Sequence, residues 1–160
     1  MGRLLQQPTM MAQLQEADFE EGKADVSVRL HSLVTAAQEI LGRALVTAGR
    51  KSGSVAAIHF PELYETADLQ EILARLQARF RHSFDFEPEL DGEGKVCLRF
   101  SGCAIGRVVA GQGEEVGKAN LCTIYHEYWA GLLGTLTNQR YAVRLDHAGD
   151  RCAFELTPRT

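Results

Sequence analysis

Cys103, Cys122, His126 and Cys152 are the side chains of this chain whose types and spacing could do chemistry. Three thiols and an imidazole are soft and borderline ligands, and a tetrahedral zinc needs about four such groups converging at roughly 2.0 to 2.3 Å. Cys122 and His126 stand four residues apart, so on a helix they share one side and can present a thiol and an imidazole to a single point. The same pair could suggest a thiolate nucleophile. That chemistry needs a third, orienting residue and an oxyanion donor, and Glu127 falls on the opposite helical face. No Cys-x-x-Cys pair occurs among Cys97, Cys103, Cys122 and Cys152, so no zinc-ribbon or redox signature is present. The alternative is that the thiols are small core hydrophobes and His126 a hydrogen-bonded boundary residue.

The element that must position these groups is a long amphipathic helix beginning near Asn120. At about 100° per residue, Leu121, Cys122, Tyr125, Tyr128, Trp129, Leu132, Leu133 and Leu136 share a face, with Asn120, Thr123, Glu127, Ala130 and Gly134 opposite. That pattern predicts burial on one side. Tyr125, Tyr128, Trp129 and Leu133 are then candidates to line an apolar ligand pocket, or to pack a solid core. Two period-two segments follow. Tyr141, Val143 and Leu145 share one face of the first; Cys152, Phe154 and Leu156 share one face of the second. The stretch from His147 to Asp150 reads as the turn between them.

Upstream, Pro8 to Glu21 reads as a short helix. A stronger helix is predicted from Val26 to Ala48, with Asp25 as N-cap and Gly49 near its stop. Arg50 to Ser54 reads as a loop, Val55 to Phe60 as either strand or buried turn, and Pro61 as the start of a new element. A helix beginning around Asp68 should bury Leu69, Ile72, Leu73, Leu76 and Phe80. A hairpin then pairs the alternating Phe84 and Phe86 with Val96, Leu98 and Phe100 across a turn at Asp91 to Gly94. Strict alternation sends Cys97 outward, and Cys103 with it unless a bulge near Gly102 or the strand end re-aims it. Gly111 to Gly117 reads as a connector. It resembles a phosphate loop, but Gln112 and Ala119 stand where glycine and a magnesium-binding hydroxyl are required.

The chain has 160 residues, 45% apolar and 24% charged, enough for one domain with a real core. Its net charge of −4 and the absence of a dense basic cluster disfavour nucleic-acid binding. No apolar run approaches the roughly 20 residues of a membrane span, and Met1 to Met11 lacks a signal-peptide core. A cytoplasmic protein with reduced thiols is expected.

The order helices, two strands, long helix, two strands lacks alternating βαβ units. It predicts an α+β fold with an antiparallel sheet packed on helices, residues 1–24 being an extension or short helix and 25–160 a single ligand-binding domain. The element order, the Cys122-x-x-x-His126 helix with Gly131-Leu132-Leu133, and Cys152-x-Phe154 resemble the 4-vinyl reductase domain family. That resemblance implies a fold similar to Golgi transport-particle subunits and haem nitric-oxide sensors, a hydrophobic or tetrapyrrole-like ligand between helix and sheet, and in some members metal-binding cysteines. The functional expectation is a small-molecule-binding domain acting as carrier, sensor or accessory biosynthetic factor. The alternatives are a cysteine-dependent small-molecule enzyme, an accessory tetrapyrrole vinyl reductase, and a metal-stabilised dimeric assembly subunit. Missing nicotinamide and flavin fingerprints weigh against an autonomous reductase. Small Ala37, Ala44 and Ala48 in the stripe of the Val26 to Ala48 helix suggest a homodimer packed on that surface.

Overall fold

A computed structural model describes the backbone of residues 16–159 and the side chains of residues 21–159. The element order is α1 (Glu16–Leu41), α2 (Ala44–Ala57), a 3-10 turn (Pro61–Glu65), α3 (Leu69–Phe80), β1 (Phe84–Leu90), β2 (Val96–Cys103), α4 (Ala104–Gly111), α5 (Asn120–Thr137), β3 (Arg140–His147) and β4 (Ala153–Arg159). The four strands form one antiparallel sheet in the order β1-β2-β4-β3. This is the expected α+β class.

Binary patterning placed the sheet correctly. Val96, Leu98 and Phe100 turn to the core together with Phe86, Phe154, Leu156 and Tyr141, and the register sets Leu98 against Phe154 and Val96 against Leu156. Asp68 caps α3, its carboxylate accepting the Gln70 N–H at 2.9 Å, and Ile72, Leu73 and Leu76 are buried as the 3.6-residue period requires. Asp91 organises the hairpin turn by accepting N–H bonds from Glu93 and Lys95.

Four sequence expectations are corrected. The Val26 to Ala48 helix is two helices: α1 already runs from Glu16, and the chain breaks at Gly42, whose φ of 51° only glycine adopts cheaply. Asp25 is therefore interior, and Ala44 and Ala48 belong to α2. Gly49 is no stop, and Arg50 to Ser54 is no loop, because these residues lie inside α2. Val55 to Phe60 is the end of that helix followed by a turn, not a strand. The fourth correction concerns α5, which is buried on both faces, Glu127 and Ala130 included. The short helix expected from Pro8 falls largely outside the described residues.

One contact explains the second and fourth corrections together. Helices α2 and α5 cross so closely that a Cβ at Gly53 would lie 1.9 Å from the Tyr128 carbonyl oxygen, and one at Gly131 would lie 1.9 Å from the Arg50 carbonyl oxygen. A polar, glycine-bearing sequence reads as a loop in isolation. Here the glycines let two backbones meet, and the Arg50 guanidinium reaches the Glu127 carboxylate, Nε to Oε2, at 2.5 Å.

Candidate functional site

The end of β2 decides where the thiols go. The β1–β2 register shifts between Asp85 and Phe86, so that Asp85 faces Gly102 while Phe86 faces Phe100, leaving Ser101 as the extra residue of a bulge. Parity beyond the bulge is reversed. Cys103, opposite Phe84, consequently packs against the core and not on the outer face with Cys97. Cys97 does face outward but is covered by the strands beside it and is 7% exposed. At Cys103 the chain turns directly into α4, an element absent from the sequence reading, and the Gly106 N–H donates to the Cys103 sulfur at 3.3 Å.

The other members of the expected set are placed nearby with different partners. Cys122 accepts the Gly117 N–H at 3.2 Å. His126 does not meet Cys122; its Nε2 lies 3.7 Å from the Cys152 sulfur, and its ring centroid sits 4.3 Å from that of Phe154. Cys152 is close enough to Cys122 and Cys103 for their charges to act on it. Even so, among the described residues no three His, Cys, Asp or Glu side chains close into a metal-holding group. With the Cys103 and Cys122 sulfurs each turned to a backbone N–H, this arrangement does not fit a tetrahedral zinc.

Burial also fixes the charge state of the pair. It lowers the His126 imidazole to about 4 and pushes the Cys152 thiol up to about 11, with Cys122 and Cys103 adding to the rise. Burial likewise raises Cys103 and Cys122. Near neutral pH the contact is a neutral imidazole beside a neutral thiol, whereas a nucleophilic cysteine needs a depressed pKa.

The expected pocket residues lie in a dense aromatic cluster. Trp129 and Leu133 are fully buried, and Tyr125 and Tyr128 stand at the border of the core. Tyr125 stacks between Phe84, with centroids 4.8 Å apart, and Tyr128 at 5.9 Å, while Trp129 meets Phe80, Phe86 and Phe100 edge-on. Two polar atoms in this cluster are orphaned: neither the Tyr125 hydroxyl nor the Trp129 indole N–H has a hydrogen-bond partner among the described residues. They are neighbours, and the indole N–H eases ionisation of the hydroxyl, but the pair lacks hydrogen-bond geometry. Burial holds the Tyr125 hydroxyl well above its ordinary pKa. Each such group costs about 1 to 3 kcal/mol of unrelieved desolvation.

Beside the cluster opens a cleft of about 500 Å³, bounded by the ends of β1 and β2, α4, and the β3–β4 turn. Phe84 and Phe100 belong to both, lining the cleft and each meeting the Tyr125 ring. Cys103 and Cys152 line its wall, while Tyr125, Tyr128, Trp129 and Leu133 do not. Sequence alternation marked Phe84 and Phe100 as inward-facing. It gave no sign of the cleft, because α4 was not visible and the bulge near Gly102 was only one of two alternatives.

No family model matches the chain, that of the 4-vinyl reductase domain included, and no curated protein matches its sequence. Solved structures do match in shape. The phenol-responsive sensory domain of the transcription activator PoxR, crystallised with phenol, superposes with a TM-score of 0.58 at 17% identity, covering 82% of this chain and 74% of that one. Trafficking protein particle complex subunit 3 from Naegleria fowleri, covalently bound to palmitic acid, superposes with a TM-score of 0.61 at 11% identity over 88% of this chain and 97% of that one. The expected fold likeness to transport-particle subunits is thereby found, and this chain has the fold shared by a phenol-binding sensory domain and a lipid-bearing transport subunit.

Proposed function

We propose that this chain is a small-molecule-binding domain of the sensor or carrier kind, whose ligand is a hydrophobic ring compound bearing a hydroxyl. The observation that carries the reading is the orphaned pair in the aromatic cluster. A hydroxyl brought to Tyr125 and Trp129 could accept from the indole N–H and exchange a hydrogen bond with the phenol group, while its ring stacked among Phe84, Phe100 and Tyr128. The phenol held by the structurally similar sensory domain has this chemistry. A single ring suits the dense cluster better than a tetrapyrrole.

Trp129 is the sole tryptophan, so its fluorescence reports the site directly. Phenol should change Trp129 emission saturably, and protoporphyrin should bind more weakly. Tyr125→Phe separates this reading from a solid core by two opposite effects. Removing an unsatisfied buried hydroxyl should stabilise the free protein by about 1 kcal/mol, yet weaken phenol binding about tenfold. Unchanged affinity in the variant, or no response in the wild type, would sink the proposal.

A homodimer belongs to the same reading. On α1, Val26, Leu30, Leu33, Ala37 and Ile40 recur at spacings of four, three, four and three, the stripe of a helix-pair seam. Val26 is 64%, Leu33 67% and Ile40 82% exposed, while the helix docks on its own domain through Val34 on another side. A two-fold pairing of α1 would cover the stripe. Ala37→Glu should then convert dimers to monomers, since like charges would be buried together near the axis. Sedimentation of the wild type as a monomer at micromolar concentration would refute the pairing.

A further inference from the structure

We propose that the cleft beside the aromatic cluster selects ring compounds that also carry a carboxylate, with the ring on Phe84 and Phe100 and the anion held by Arg81 and Arg107. This rests on the reading of the chain as a binder of ring compounds, and names the class of ligand that the same region takes.

The cleft has the size of small-molecule sites, about 500 Å³. Phe84 and Phe100 give it an aromatic surface, and Arg81 and Arg107 also line it. Among the described residues neither Arg81 nor Arg107 has an acid partner within ion-pair distance. By contrast, Arg75, Arg79, Arg99 and Arg144 are all paired. Among the described residues Arg81 donates a hydrogen bond to the His82 ring alone, from its Nε at 3.3 Å. Guanidinium groups are the side chains that match a carboxylate in two-pronged fashion.

Two acids also line the rim, Asp85 and Asp150, and the balance must be taken at the wall where a ligand would sit. The Asp85 carboxylate is engaged by the Ser101 hydroxyl at 2.6 Å. On the inner wall, Arg107 lies near enough to the Cys103 thiol to favour its ionised form. The inner wall is therefore the side on which Arg107 stands beside Cys103. It is also the side built by Gly106, where a Cβ would lie 3.1 Å from Val116 Cγ1.

Calorimetric titration of the full chain with phenol and with salicylate, which adds a carboxylate to the same hydroxylated ring, tests the assignment. Salicylate should bind about tenfold more tightly than phenol at low salt, and the advantage should shrink at high ionic strength. The double substitution Arg81→Gln, Arg107→Gln, at two exposed positions, should erase that advantage while leaving phenol affinity unchanged. Equal affinities in the wild type, or a preference that survives the double substitution, would overturn the assignment. Arginine-dependent salicylate binding without any phenol binding would uphold the cleft and discard the orphaned-hydroxyl reading. If neither compound binds, both fall.

Discussion

Replacing Gly131 with leucine should destabilise the protein by more than about 4 kcal/mol. Even a single Cβ there would sit 1.9 Å from the Arg50 carbonyl oxygen, and the obstacle is helix backbone on both sides, which no rotamer change can clear. Relief requires α2 and α5 to separate. That would open the crossing held by Gly49, Gly53 and Gly131 and would stretch the Arg50–Glu127 pair, whose Glu127 side chain is only 12% exposed. An expected loss above about 4 kcal/mol is a large part of the 5 to 15 kcal/mol that stabilises an ordinary domain. Gly53→Leu should behave alike, since its Cβ would lie 1.9 Å from the Tyr128 carbonyl oxygen. Gly22→Ala is the control: among the described residues nothing lies within 4 Å of that Cβ in α1, and a helical alanine should be stabilising by about 0.5 to 1 kcal/mol. Thermal and urea unfolding followed by circular dichroism distinguish these outcomes. A Gly131→Leu protein melting within a few degrees of wild type would show that the two helices do not cross as described.

Acid should destabilise the protein through His126 before the carboxylates matter. Burial against Phe154 and Cys152 holds the imidazole at about 4, against an ordinary value of 6.5. In the unfolded chain the ring takes up its proton as pH falls through 6.5, whereas in the folded chain it resists until about 4. Between those values the unfolded state binds more protons, so stability is fully present above pH 6.5 and is lost progressively on the way down to 4. The full displacement corresponds to about 3 kcal/mol. His126→Phe keeps an aromatic ring of similar size beside Phe154 and removes the titration. Urea unfolding at pH 7, 5.5 and 4.5 should therefore show wild type losing about 2 kcal/mol more than the variant by the lowest of these. Parallel losses in the two proteins would mean that His126 is exposed to protonation in the folded state, and that the neutral thiol–imidazole contact is wrong.

How much of this was legible in the sequence follows the range of the forces involved. Local periodicity determined the hairpin, the α3 helix beginning around Asp68, the long α5 helix and the closing strands, because side-chain periodicity is satisfied within a few residues. From that order the α+β class followed. The inward direction of Phe84, Phe86 and Phe100 was also readable, and so was the aromatic setting of Tyr125 and Trp129. Tertiary structure alone decided the rest. Gly49, Gly53 and Arg50 look like a loop until α5 supplies a backbone for the glycines to meet and Glu127 a carboxylate for the arginine to pair with, which is also why α5 is buried all round. His126 was expected to meet Cys122, one turn away on its own helix, but its partner is Cys152, brought in by β4 across the core. Cys103 was turned inward by one extra residue in a strand, a change of parity that depends on which partner strand is paired and in what register. The cleft exists only where the end of that strand, α4 and the β3–β4 turn come together, so no single segment of the chain carries its signature.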